Sequence, residues 1–182
     1  MAGSRTDVMM DDGLAVALAA SATLKQCAQV LREVKPAAYA KPSQALGGGT
    51  IGQHVRHSLD HFVAALSTVD GHIDYDTRDR GTKIEADPNE AMSLIEHLVA
   101  QLDTKTTEDL CAPVTVHVML SGDGQRAMLT STLGRELWFA SHHAIHHHAM
   151  IGAIAKELAI PVAPDFGKAP STIEFECRTA EH

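Results

Sequence analysis

The sequence is poor in aromatic residues and in basic charge. Only 4 % of its 182 residues are Phe, Trp or Tyr, and the formal net charge is −8. The core must therefore be built from small and aliphatic side chains, a composition that favours closely packed helices. The net negative charge also disfavours non-specific electrostatic binding to nucleic acid, so we expect no nucleic-acid partner.

Paired cysteine motifs are missing as well. Cys27, Cys111 and Cys177 are far apart in the sequence and form no C-x-x-C. Scattered cysteines of this kind are typical of reduced thiols in a cytoplasmic protein. The sequence suggests no apolar run of membrane-spanning length and no signal-peptide pattern. We therefore expect a cytoplasmic protein without a membrane partner.

Proline is absent from the interior of four runs in which apolar residues recur at helical spacing. These runs cover residues 13–35, 50–69, 88–102 and 133–158. Thr50 and Asp87 are good N-caps for the second and third helices, and Pro88 suits the first helical position. The pattern predicts one mainly α domain over residues 1–182, with a disordered segment at 1–12.

Alternating β-branched residues interrupt the helical pattern before the last helix. Residues 114–120 and 125–129 flank the turn Ser121–Gly124 and predict a short β-hairpin. Residues 160–182 contain several prolines and predict an irregular tail packed on the bundle, held by Phe166, Ile173 and Phe175.

The charged stretch at residues 70–82 predicts a long surface connection. Connections longer than about 12 residues are uncommon and often functional. Arg78 and Arg80 could bind a carboxylate or phosphate. Local pairing of these arginines with neighbouring aspartates in a solvated loop is the interpretation that we favour.

Histidine is the residue type in excess. Twelve are present, and five of them lie in residues 141–150. His143 and His147 are four residues apart, as are His142 and His146, so each pair shares a helix face and can offer two imidazoles to one metal ion. A buried histidine bonded to a neighbour, or a solvated histidine-rich face, explains the same spacing.

The second helix can supply a third imidazole. His54, His57 and His61 lie on an arc between its apolar stripe and its polar side, together with small residues that let another helix approach. Bundles build metal sites from residues on facing helices. Three protein ligands would leave an open position for water or substrate. Periodicity alone does not choose among these histidines.

Four segments resemble the DinB/YfiT-like family of metal-binding bundle proteins. They are Thr50–His57, Asp60–Phe62, Gly134–His147 and Asp165–Thr172. The resemblance implies a four-helix bundle of up-down-down-up topology, frequently a homodimer, with a divalent metal ion held by three histidines. Carried over residue by residue, it implies that the ligands are His57, His143 and His147.

The resemblance also implies an activity. The chain is expected to be a metal-dependent enzyme of the hydrolase or thiol-dependent transferase type, with zinc or nickel as the ion and a small molecule or a low-molecular-weight thiol as its partner. No general base is identifiable from the sequence. A dimeric metal-binding or stress-response protein without turnover is one alternative, and a metal-free bundle with a pH-sensitive histidine patch is another.

Overall fold

The computed structural model describes residues 12–68, 70–77 and 81–180. Residues 1–11 and the two arginines Arg78 and Arg80, on which two predictions fall, lie outside the described residues. The elements in chain order are α1 (Asp12–Glu33), α2 (Pro36–Tyr39), α3 (Ile51–Leu66), β1 (His72–Asp74), a 3₁₀ turn (Lys83–Glu85), α4 (Pro88–Asp103), α5 (Thr107–Cys111), β2 (Pro113–Met119), β3 (Arg126–Thr132), α6 (Leu133–Glu157) and α7 (Pro170–Ala180).

The long helices α1, α3, α4 and α6 form the predicted four-helix bundle. Helix α1 packs against α4 and α6, and α3 packs against the same two helices. Leu, Ile, Val and Ala side chains fill the core between them, as the scarcity of aromatic residues requires. The mainly α fold predicted from the sequence is confirmed.

Helix α1 corrects one prediction. It is long and apolar enough to cross a membrane by length and composition, although the sequence suggested no such run. Half of its most apolar stretch is buried within the bundle, including Ala20, Leu24 and Leu31. That burial fits a core helix, because the same side chains complete the packing against α4 and α6.

The two predicted N-caps, Thr50 and Asp87, are confirmed. The Thr50 side chain accepts a hydrogen bond from the Gln53 amide at 3.1 Å, and Gln53 Oε1 accepts from the Thr50 amide at 3.1 Å. This reciprocal capping box fixes the first turn of α3, on which His54 lies. Asp87 caps α4, with Pro88 at the first helical position.

The predicted hairpin is present, and a third strand joins it. Strands β2 and β3 pair antiparallel, and β1 pairs with β2 in parallel, with Ile73 opposite Val116. We predicted only a surface connection where β1 lies, because its sequence is short and charged. Burial of Ile73 against a strand some 40 residues later in the chain supplies the stability that the local sequence does not indicate.

The tail prediction is wrong in two respects. Residues Pro170–Ala180 form helix α7 instead of irregular structure, with Pro170 opening the helix. Phe175, expected to hold the tail, is 63 % exposed. Phe166 does hold it, because its ring stacks on His148 of α6 with the centroids 4.7 Å apart.

A glycine in α3 lets the 3₁₀ turn approach the helix closely. A Cβ atom on Gly52 would lie 2.1 Å from the carbonyl oxygen of Glu85. On the same turn, the carbonyl oxygen of Ile84 accepts a 2.7 Å hydrogen bond from the buried Tyr39 hydroxyl. Gly52 and Tyr39 therefore hold Glu85 beside the first turns of α3.

Two helical glycines offer a matched test of this close approach. Gly52→Ala should lower the free energy of unfolding by about 1–3 kcal/mol, because the added methyl overlaps rigid backbone. Gly152→Ala in α6, whose added Cβ would lie 3.8 Å from the Phe166 ring, should be neutral or stabilising by up to about 1 kcal/mol through helix propensity. Urea unfolding of both variants measures the difference, and equal stabilities would contradict the packing described here.

Candidate metal centre

Three imidazoles converge where α3 and α6 pack together. His143 Nε2 lies 3.2 Å from His57 Nε2 and 3.1 Å from His147 Nε2. One ring nitrogen of each residue lies within 4.8 Å of the corresponding nitrogens of the other two. The structure thus brings together the three residues that the family resemblance singled out.

The helices explain this convergence. His143 and His147 lie one turn apart on α6, so their side chains project side by side. The apolar stripe of α6, which includes Ala140, Ala144 and Ile151, is buried and turns the pair toward α3. His57 reaches them from the middle of α3.

The nitrogen positions fit a cation better than they fit a hydrogen-bonded trio. A tetrahedral ion with metal–nitrogen bonds of 2.0–2.1 Å needs nitrogens about 3.4 Å apart. The two distances from His143 Nε2 lie within a few tenths of an ångström of this value, and the third pair lies within 4.8 Å. His143 Nε2 carries either one proton or one lone pair, so it can complete a linear hydrogen bond with only one of its two neighbours. A single cation would satisfy all three nitrogens.

The electrostatics of the site keep His147 neutral. The side chain is 7 % exposed, and burial, followed by repulsion from the surrounding histidines, lowers its pKa to about 3. Neutral imidazole is the form that binds metal ions. The burial and lowered pKa of His147 therefore distinguish it from a solvated histidine.

Among the remaining histidines of α3, each has a distinct environment. His54 Nδ1 lies 3.0 Å from His147 Nδ1, on the far side of that ring from the site. Burial, and then His146, lower the pKa of His54. His61 is buried, with its Nδ1 3.0 Å from the backbone oxygen of His57 and its ring centroid 4.0 Å from that of His143. His61 thus packs beside the three-histidine group without joining it.

On α6, His142 and His146 are exposed, and His142 lies beside the exposed Trp138 ring. His148 differs from them, because it is 1 % exposed and packs on Phe166. Burial lowers the pKa of His148 to about 4. The local sequence does not indicate this burial, because Phe166, which covers His148, lies in the tail.

A cleft of about 440 Å³ opens beside the group and is lined by both His57 and His147. Arg56 is partly buried in the cleft wall. Its Nη1 donates to Asp60 at 2.6 Å, and its Nε lies 3.0 Å from Glu85 Oε1. Two carboxylates thus neutralise this arginine, and it is not available to an anion without rearrangement.

Leu46 and Gly49 also line this cleft. Their loop is fastened to the end of α6, because Glu157 accepts hydrogen bonds from the Ser43 hydroxyl at 2.6 Å and the Gln44 amide at 3.2 Å. The same contacts lower the pKa of Glu157. Contacts with α3 and α6, the two helices that carry the histidines, therefore hold the walls of the cleft in place.

A polar network on the other side of the group was not predictable from local sequence. Glu136 is 3 % exposed and accepts hydrogen bonds from Tyr75 at 2.9 Å and Ser131 at 2.6 Å. The Tyr75 ring stacks on His61, 5.2 Å between centroids. Glu136 and Tyr75 are 61 residues apart, so no spacing rule links them. Through His61, this network supports the ring of His143.

The fold and the site together define a four-helix bundle with a three-histidine group that can hold a metal ion. No family model matches the chain. Among solved structures, it is similar to YfiT from Bacillus subtilis, described as a probable metal-dependent hydrolase with an unusual four-helix bundle topology. The TM-score is 0.54 and the identity 19 %, over 88 % of this chain and 95 % of YfiT. This likeness establishes the YfiT-like fold.

Among curated proteins, the chain is similar to FK506-binding protein 5 from Rhizopus delemar, with 35 % identity over 113 residues. The match covers 62 % of this chain and 29 % of that protein. The chain therefore spans less than a third of the length of the curated relative that it matches.

The buried His148 predicts a pH dependence of stability in the metal-free protein. Its pKa of about 4 in the folded state is below the ordinary value of about 6.5, so the unfolded chain binds more protons between these values. The stabilisation is fully present above about pH 6.5 and is lost as the pH falls. His148→Gln should reduce the slope of unfolding free energy against pH by up to about 1.4 kcal/mol per unit between pH 6 and 5.

The exposed His142 supplies the control on the same helix. His142→Gln should keep the wild-type slope in urea unfolding at each pH. An unchanged slope in His148→Gln would show that His148 is not buried in its neutral form.

Proposed function

We propose that this chain is a metal-dependent hydrolase whose divalent ion is bound by His57, His143 and His147. The convergence of three imidazole nitrogens, 3.1–3.2 Å apart in two of the pairs, carries this proposal. The YfiT-like fold supports it, since YfiT is described as a probable metal-dependent hydrolase. Imidazole ligands suit zinc and nickel, and we propose one of these as the ion.

An ion held by three imidazoles would keep one coordination position open and would lower the pKa of water there toward about 7. His57, His143 and His147 would hold that ion between the two helices. The cleft beside His57 and His147 admits a small substrate, and its walls are fixed by the Glu157 contacts and by Gly52.

The charge state of the cleft restricts the substrate. Arg56 is paired with Asp60 and Glu85, so the wall presents no unpaired positive charge from this residue. Leu46 and the Gly49 backbone add apolar and uncharged surface. We infer that the substrate is a small, uncharged ester or amide and not a phosphate-bearing molecule.

Metal binding tests the ligand assignment. Single replacement of His57, His143 or His147 by Ala should weaken zinc binding more than about 100-fold, beyond the 10–100-fold typical of residues outside the ligand set. His142→Ala should bind one ion per chain with wild-type affinity, because His142 is exposed away from the group. Isothermal titration with zinc on protein purified without a nickel column measures both. Retention of wild-type affinity in the first three variants would overturn the assignment.

Turnover tests the reaction class. Protein loaded with zinc or nickel should hydrolyse members of a panel of uncharged chromogenic esters and amides, lose that activity with a chelator and regain it on reloading. His143→Ala, handled identically, should be inactive, because it lacks a ligand. A wild-type protein that binds one ion yet turns over no substrate in the panel would favour a non-catalytic metal-binding protein instead.

A further inference from the structure

We propose that His54 is a positioning residue that holds His147 in the one tautomer able to bind the metal ion. The inference rests on the metal centre proposed above. It concerns His54, which is not one of the three proposed ligands. It follows from the contact between a ring nitrogen of His54 and a ring nitrogen of His147.

The contact joins the nitrogens that do not face the site. His147 directs Nε2 toward His143, and its Nδ1 lies 3.0 Å from Nδ1 of His54. At this distance one of the two Nδ1 atoms donates a proton and the other accepts it. Two arrangements are possible, and they contain the same number of protons.

Only one arrangement is compatible with metal binding. If His54 Nδ1–H donates, the neutral His147 carries its proton on Nε2, and this nitrogen has no lone pair for an ion. If His147 Nδ1–H donates, Nε2 is free to bind, and His54 carries its own proton on Nε2. Ligating histidines generally donate their second N–H to an outer partner that fixes the tautomer and the ring orientation.

The surroundings of His54 hold its ring in place for this role. Its Nε2 is buried and has no hydrogen-bond partner among the described residues. It packs against the loop that closes the cleft, since a Cβ on Gly49 would lie 3.0 Å from it. The capping box at Thr50 and Gln53 fixes the helix turn from which His54 projects. In the metal-binding arrangement this buried nitrogen carries a proton without a partner, which costs free energy, and the bond between His147 and the ion must offset that cost.

Three variants separate this role from a general packing effect. His54→Ala removes the acceptor. His54→Asn places an amide oxygen close to the position of Nδ1, whereas His54→Gln places its polar end close to the position of Nε2. We expect zinc affinity to fall 10–100-fold in the Ala and Gln variants at unchanged stoichiometry, and to stay within about threefold of wild type in the Asn variant.

Nitrogen-15 correlation spectra of the zinc-loaded protein report the protonation and proton exchange of His147 Nδ1, which a change in packing alone would leave unaltered. Wild type and His54→Asn should show a protonated His147 Nδ1 whose proton exchanges slowly with water. In His54→Ala that proton should exchange faster. His142→Ala, at an exposed position of α6, is the control and should match wild type in both measurements.

The outcomes distinguish this inference from the metal centre itself. Wild-type affinity in both His54→Ala and His54→Gln, or equal weakening in all three His54 variants, would overturn the tautomer role while leaving the three-histidine site intact. A wild-type protein that binds no zinc, or that binds it undiminished without His143, would overturn the proposed centre and this inference with it.

Discussion

The packing of α3 against α6 is the constraint on which the rest of the structure depends. Helix α6 is packed against both α3 and α1, and its apolar stripe is built of small and aliphatic residues such as Ala140 and Ala144, which are almost fully buried. A larger residue in these positions would separate the helices, and His57 would no longer reach the pair on α6. The packing of the apolar core therefore sets the distances between the histidine nitrogens, and the ability of the three histidines to hold an ion depends on those distances.

Other parts of the chain fix what surrounds this helix pair. The loop that carries Leu46 and Gly49 is tied to α6 through Glu157, and the 3₁₀ turn is seated on α3 at Gly52. On the other side, Glu136 orders Tyr75, which in turn packs on His61. The site is thus enclosed by contacts from distant segments, which is how a rigid scaffold holds reactive groups in register.

The sequence predicted what depends on local pattern. Helical spacing and the caps Thr50 and Asp87 located the bundle helices, and the four-residue spacing of His143 and His147 marked the pair on α6. It did not predict β1, which is stabilised by a partner strand far along the chain. It also missed helix α7 and the burial of His148, whose packing partner Phe166 lies in the tail. The choice of His57 over His61 came from the family resemblance, because both lie on the same arc of α3.

The most direct test of the account is a crystal structure of zinc-loaded protein with anomalous diffraction measured on both sides of the zinc absorption edge. We expect one strong peak between α3 and α6, about 2.0–2.1 Å from a ring nitrogen of each of His57, His143 and His147. A principal peak elsewhere would contradict it. The pair His72 and His117, whose ring nitrogens lie 3.0 Å apart on the sheet, is the place to look for such a peak.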